Sequence, residues 1–387
     1  MIRSTMAGAG LAGLAGLLSA TPAAAAPPAP LVKCAAAATQ RVPQRPWAQA
    51  ALAPERAWNL TDGRGVVVAV LGTGVDASVP QLTGHVTPGR DVASGGRADT
   101  DCVGTGTFAA GLVAARRVEG VGMTGVAPGV TVLPVRVARD GEAPVAAGLA
   151  AGIDAAVAGG AKVVAVAVKP VAGGPELTRA VRNATAHGVL VVAPAAESGD
   201  DRQGRFFPAA DTDALSVAAT DQDGEAAGRA GKGVRVDLAA PGKDLLSLGT
   251  GGPGQLVGSG NEYAAAYVAG SAALVRAYHP RLSVADVKRR LENAATRPGT
   301  PVPDPGVGWG VVNPYEAVSA IMTLGGDGGA APRVTLPPRV IADHRAERLA
   351  LLLIVGVGGA VAVIGVAAAV IQAGRRRGWQ AGVLPRE

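Results

Sequence analysis

Few residues in this chain stand at a spacing that carries chemistry by itself. The four histidines, His85, His187, His279 and His344, are scattered, and none lies in a recognisable motif beside a serine. No H-E-x-x-H, C-x-x-C or phosphate-binding glycine loop occurs, so neither a metal centre nor a cofactor is expected. The glycines of VGVGG at 355–359 lie inside an apolar run and cannot serve phosphate. The stretch around which the chain is organised is SGNEYAAAYVAGSAALVRAYH, from Ser259 to His279. It reads as a small-residue helix entered through a glycine turn, able to pack tightly on every side. Ser259 and Glu262 stand at S-x-x-E spacing. That spacing predicts a capping box, in which each side chain satisfies a free backbone N–H of the first turn. Such a helix start also favours negative charge.

The elements that must position these residues alternate in type. VVVAVL from Val66 to Leu71 is a continuous apolar strand, followed by a small-residue helix from Thr107 to Ala115. Strands are expected at Val130–Val137, Lys162–Val168, Val189–Ala193, Ala214–Ala219 and Val234–Leu238, with helices at Pro144–Ala158 and Glu176–His187. Apolar strands alternating with helices imply an α/β fold: a central, mostly parallel sheet covered on both faces. Ligand sites in such sheets lie at the carboxyl ends of the strands. No internal repeat is present.

Composition bounds the function. Of 387 residues 48% are hydrophobic and 17% charged, with 56 glycines, which fits a core of small aliphatic side chains plus membrane segments. The net charge of +6 comes from scattered arginines with no aromatic-interleaved basic run, so nucleic acid is not an expected partner. Residues 1–26 read as a signal peptide: Arg3, an apolar stretch from Met6 to Leu18, and an A-x-A site within Ala23–Ala26. A second apolar stretch, Leu349 to Ile371, carries no charge and is followed by Arg375, Arg376 and Arg377. About 20 apolar residues span a bilayer, and positive residues stay on the cytoplasmic side. The expected order is therefore a signal peptide (1–26), an extension (27–65), a folded body (66–322), a Gly/Pro-rich tether (323–348), a membrane helix (349–372) and a cytoplasmic tail (373–387). Cys34 and Cys102 are the two cysteines of the exported part. An oxidising compartment and an even count suggest a disulfide, two free thiols being the alternative.

The helix at 259–279 resembles the nucleophile helix of subtilisin-like serine proteases, G-T-S-x-A-A-P-x-V-A-G-x-A-A-L. It keeps Gly260, Ala264, Ala265, Val268, Ala269, Gly270, Ala272, Ala273 and Leu274. The segments GVAPGVTVLPVRV (125–137), VDLAAPG (236–242) and GVGWGVVNPYEAV (306–318) extend the likeness. The extension, the span, and Cys102 beside the histidine motif narrow it to the mycosins, membrane-anchored relatives that accompany type VII secretion. In mycosins a disulfide ties the extension to the body, and Cys34 and Cys102 occupy the matching places.

The resemblance implies a subtilisin-like fold without its chemistry. Gly72 stands in the catalytic acid's place within VLGTGVD, and Asp76 matches the pattern's second, structural aspartate. Thr105 stands in the histidine's place within DCVGTGT, Glu197 in that of the oxyanion asparagine, and Glu262 in that of the nucleophilic serine. Glycine cannot orient an imidazolium, threonine cannot take a proton near neutral pH, and a carboxylate repels an oxyanion. The expected protein is a membrane-anchored, extracytoplasmic pseudoprotease that binds a partner at a secretion complex, or an extended peptide by strand addition. Glu197, Glu262 and Lys169 are its candidate binding residues. Lys169 and Pro170 sit where the family lays a substrate strand, and could narrow that cleft. Glu197 and Glu262 inherit places that face one small space in the family, so their carboxyls are expected within several ångströms. The alternatives are a hydrolase using those two acids in non-serine chemistry, or a serine-type endopeptidase like the rest of the family.

Overall fold

The computed structural model describes residues 34–196, 206–228, 234–321, 363–376 and 378. The chain divides into two compact units, Met1–Leu324 and Gly325–Glu387.

In the first unit, helix α1 (Trp47–Leu52) and a 3-10 turn (Pro54–Arg56) precede β1 (Val67–Gly72). Then come β2 (Arg90–Asp91), α2 (Thr105–Ala114), β3 (Thr131–Arg136), α3 (Ala146–Ala158), β4 (Val163–Val166), β5 (Val171–Ala172), α4 (Pro175–Ala186), β6 (Leu190–Pro194) and β7 (Phe206–Phe207). The remainder is β8 (Leu215–Thr220), β9 (Leu238–Pro241), β10 (Leu245–Leu248), β11 (Gln255–Gly258), α5 (Asn261–Tyr278), α6 (Val284–Ala294) and α7 (Pro314–Ser319).

Seven strands form one parallel sheet in the order β2-β3-β1-β4-β6-β8-β9. Side chains of β1 alternate between its two faces, as strand geometry requires. Val68 and Val70 pack with α2 and α5, whereas Ala69 and Leu71 pack with α3 and α4. Both faces are covered, which is why the strands read as unbroken apolar runs. The order reverses at β1, whose neighbours β3 and β4 follow it on opposite sides. Helices α2 and α5 approach the carboxyl end of the sheet there, where α/β sheets hold their ligands.

Most expected elements fall within two residues of the observed ones. The last strand differs: Val234–Leu238 was expected and Leu238–Pro241 forms. Just before it, Asp237 N donates to Ser216 O at 2.9 Å, but the Ser216 N–H goes to the Asp237 carboxylate at 2.9 Å rather than to a backbone carbonyl of that segment. The helix expected from Pro144 begins at Ala146.

The extension is fastened along the body. Cys34 and Cys102 form a disulfide of S–S 2.04 Å. Ala38 N donates to Thr250 O (3.0 Å), Gly254 N to Ala38 O (2.8 Å) and Gln255 N to Gln40 O (2.9 Å). Thr124 N donates to Gln49 Oε1 at 2.9 Å.

In the second unit, residues 363–376 are helical. Among the described residues no helix is long and apolar enough to cross a membrane. The signal peptide, the tether, the cytoplasmic tail apart from its first few residues, and most of the apolar stretch Leu349–Ile371 lie outside the described residues.

Candidate functional site

The site begins where β1 meets α2. Gly72, the last residue of β1, is buried; a Cβ there would touch Gly106 Cα at 3.4 Å and Ala167 Cβ at 3.6 Å. Gly74 follows at φ +101, a left-handed conformation that glycine adopts at little cost. Its carbonyl lies so close to Gly106 that any side chain on Gly106 would collide with it. Gly106 N donates to Thr73 Oγ1 at 3.0 Å, which locks the first turn of α2 onto the strand end. Thr105 is the first residue of that helix.

Two acids support this junction, Asp101 buried and Asp76 half-buried. Asp101 is 6% exposed. One carboxylate oxygen accepts Thr107 N and Thr107 Oγ1, both at 2.8 Å, and the other accepts Gly104 N at 2.8 Å. A carboxylate at a helix N-terminus is favoured by the macrodipole. Asp76 reaches across to the β10–β11 turn, accepting Thr250 Oγ1 at 3.0 Å and Gly251 N at 2.7 Å, and accepting Ser78 Oγ at 2.6 Å. Burial pushes the Asp76 carboxyl up, but these hydrogen bonds together hold it below its ordinary value.

The other half of the site is the start of α5. The expected capping box does not form. Gly260 is the N-cap and no side chain caps it. Gly260 N donates to Gly242 O at 2.8 Å, and Ser259 Oγ accepts Asp244 N at 2.8 Å, so Ser259 is held on the strand side of the turn. Glu262 therefore falls one position short of the third helical residue that a capping box uses. Its carboxyl group folds back against Gly260, where it would collide with any Cβ. The capping box of this region lies in α6 instead, between Ser283 and Asp286.

Two residues that sequence reasoning passed over organise this turn. Asn261, 8% exposed, accepts Ala219 N through Oδ1 at 2.7 Å and donates through Nδ2 to Ala195 O at 2.8 Å. It thereby ties α5 to the ends of β8 and β6. Tyr263 packs on Phe108 with ring centroids 4.3 Å apart. It also shares a side-chain hydrogen bond with Thr105. Burial, then the charge of Glu262, and lastly that of Asp101 push the Tyr263 phenol up to about 12, against the pull of its bond with Thr105. At neutral pH it is a neutral hydroxyl and no base. The available signal was position: both residues directly flank Glu262 in a motif with fixed neighbours.

Thr105, Tyr263 and Glu262 are thus brought together over the end of β1, with no imidazole among them. Glu197 lies outside the described residues, and so does its separation from Glu262. Lys169 is exposed in the connection that follows β4, next to Pro170, which has no N–H to offer an added strand. His187 Nδ1 lies 2.8 Å from Asn183 O at the end of α4, and His279 Nε2 lies 3.0 Å from Val318 O at the end of α5. His85 sits in the loop before β2, and His344 lies outside the described residues. Among the described residues no group of three or more histidine, cysteine or acidic side chains could hold a metal ion.

Comparison with known proteins agrees with this architecture. The subtilase family model matches residues 63–310. Thermitase of Thermoactinomyces vulgaris is 32% identical over 68% of this chain and 92% of its own length. The crystal structure of MycP1 with its N-terminal propeptide removed is 30% identical, with a TM-score of 0.64 over 72% of this chain and 98% of that one. The MycP3 protease from the type VII (ESX-3) secretion system is 28% identical, with a TM-score of 0.64 over 73% of this chain and 92% of that one. With its sheet order, its α5 and its matched length, the chain belongs to the subtilase family.

Proposed function

We propose that this chain is a subtilase-fold pseudoprotease, anchored in the membrane with its body outside the cytoplasm, that serves as a binding or scaffolding component of a type VII secretion complex. One observation carries the reading. The residues gathered at the start of α2 and α5 are Thr105, Tyr263 and Glu262, above a glycine at the end of β1. Serine-protease chemistry needs a base to take the nucleophile's proton, an acid to orient that base, and donors around the oxyanion. Gly72, Thr105 and Glu262 supply none of these, and Glu197 at the oxyanion place would repel the charge to be stabilised. In a subtilisin, loss of nucleophile or base alone costs about 10⁶ in kcat.

Other supports come from the chain's ends and from its relatives. The apolar stretch Leu349–Ile371 with Arg375–Arg377 behind it supports a single span with a short cytoplasmic tail. The alanine-rich leader at 1–26 supports export. MycP1 is described as an essential component of a type VII secretion system and MycP3 as a protease from one, which supports that partner. Peptide binding by strand addition needs backbone groups rather than a triad, so an inactive cleft can still hold an extended segment.

The test is to tag the chain in its own host and solubilise the membranes gently for native electrophoresis. The tagged protein is expected in the membrane fraction, migrating with the secretion complex. A chain that remains soluble, or that migrates alone while the complex is intact, would overturn the proposal.

A further inference from the structure

The loop that follows α2 carries a second feature, at the opposite end of that helix from Thr105. A helix of 10 residues places the two about 15 Å apart. After Ala115 the chain runs through RRVEGVGMT, Arg116 to Thr124, and returns alongside the same helix. Gly125 N donates to Ala115 O at 2.8 Å, Val126 N to Leu112 O at 2.9 Å and Ala127 N to Val113 O at 2.8 Å. The ends of the loop are therefore closed, as in the compact surface loops that often carry function.

One buried amide fixes its interior. Gln81, 2% exposed, donates through Nε2 to Arg116 O at 2.7 Å and to Met123 O at 3.0 Å, while its backbone carbonyl accepts Arg116 N at 2.9 Å. The extension holds the far side, with Gly122 N on Val42 O at 2.9 Å and Thr124 N on Gln49 Oε1 at 2.9 Å. These bonds leave two guanidiniums uncommitted. Arg116 and Arg117 are exposed, and among the described residues neither side chain makes a hydrogen bond or an ion pair.

Both arginines line an open cleft of about 600 Å³ whose lining includes Trp58, Pro80, Val118 and Pro128, with Thr83 and Thr124 between them. Arg117 also lines an adjoining cavity of about 390 Å³, whose acids are Glu119 and Glu55, the latter paired with Arg45. The acid in the larger cleft, Asp62, is already engaged by the backbone N–H of Arg64 at 3.0 Å and by its guanidinium at 3.4 Å. The cleft is thus left positive, with apolar patches in its wall, and built on a backbone held from both sides.

We infer that this cleft docks an acidic segment of a partner protein. Carboxylates of the segment take the two guanidinium forks, which match their geometry in pairs. Interleaved apolar side chains cover Trp58 and the two prolines. A small inorganic anion or a lipid headgroup would leave those walls bare, which favours a peptide. The loop is already ordered by Gln81, so little entropy is lost on binding.

The test uses a short fluorescein-labelled peptide alternating acidic residues with leucine and phenylalanine, titrated against the full chain in detergent and followed by anisotropy. Binding is expected, weakened several-fold by raising the salt, and absent for the same peptide with lysine in place of the acids. The double variant Arg116→Glu/Arg117→Glu should lose at least tenfold in affinity with an unchanged melting temperature, and Arg116→Gln/Arg117→Gln should fall between. No binding, or binding indifferent to the charge reversal, would overturn the inference. So would competition by inorganic phosphate or by phosphatidylglycerol vesicles as effective as that by unlabelled peptide, which would reassign the cleft to a simple anion or a membrane surface.

Discussion

Replacing Asn261 by alanine should be among the most damaging single changes near the candidate site, although Asn261 belongs to no catalytic apparatus. Its side chain accepts Ala219 N at 2.7 Å and donates to Ala195 O at 2.8 Å, both within the buried ends of β8 and β6. Each such bond contributes about 1 kcal/mol net, and each buried group left unpaired costs about 1–3 kcal/mol in desolvation. Alanine in the first turn returns about 0.5 kcal/mol of helix propensity. The balance is a loss of about 3 kcal/mol, which at about 2–4 °C per kcal/mol lowers Tm by roughly 6–12 °C. Urea unfolding followed by circular dichroism would read this as a lower midpoint at constant slope. Asn261→Asp keeps the acceptor for Ala219 but sets a carboxylate against Ala195 O, so it should be worse at neutral pH than in mild acid. An Asn261→Ala protein within about 0.5 kcal/mol of the parent, the range of ordinary surface substitutions, would refute the reasoning.

Removing both cysteines, Cys34→Ala with Cys102→Ala, opens a link across 68 residues and should cost about 4 kcal/mol on the chain-entropy estimate, measured as a fall in the unfolding midpoint. Tyr263→Phe should cost about 1 kcal/mol, because it removes the bond to Thr105 and keeps the contact with Phe108; a larger loss would mean that the hydroxyl does more than that bond. Asp76 has a folded-state pKa below its unfolded value, so it adds stability that is complete above about pH 4 and is lost as pH falls through the lowered value. Asp76→Asn should therefore flatten that acid limb in a pH series of melting temperatures, and an unchanged limb would show that other carboxyls set it.

The strands of the central sheet were legible because burial on both faces leaves nothing but apolar residues in them, as in VVVAVL. β9 was misplaced because LAAP has weak strand propensity, and its register is set by pairing with β8, about twenty residues away. The capping box was misread at Ser259 because S-x-x-E is a local pattern, whereas the helix start is decided by a distant bond from Gly260 N to Gly242 O. In α6 no such competitor acts, and Ser283 and Asp286 form the box that their spacing allows. Asn261 and Tyr263 were invisible as site residues for a related reason: their partners lie 42, 66 and well over 100 positions away. The expectation that no triad is present rests on substitutions inside motifs whose neighbours persist.

The central claim is that the chain holds a subtilase fold without serine-protease turnover. The most direct measurement is labelling of the purified full chain by a fluorophosphonate probe, with thermitase alongside as the reactive control. The account predicts a labelled control and no labelling of this chain, with no turnover of peptide or casein. Stoichiometric labelling that disappears when one particular serine is replaced would contradict it.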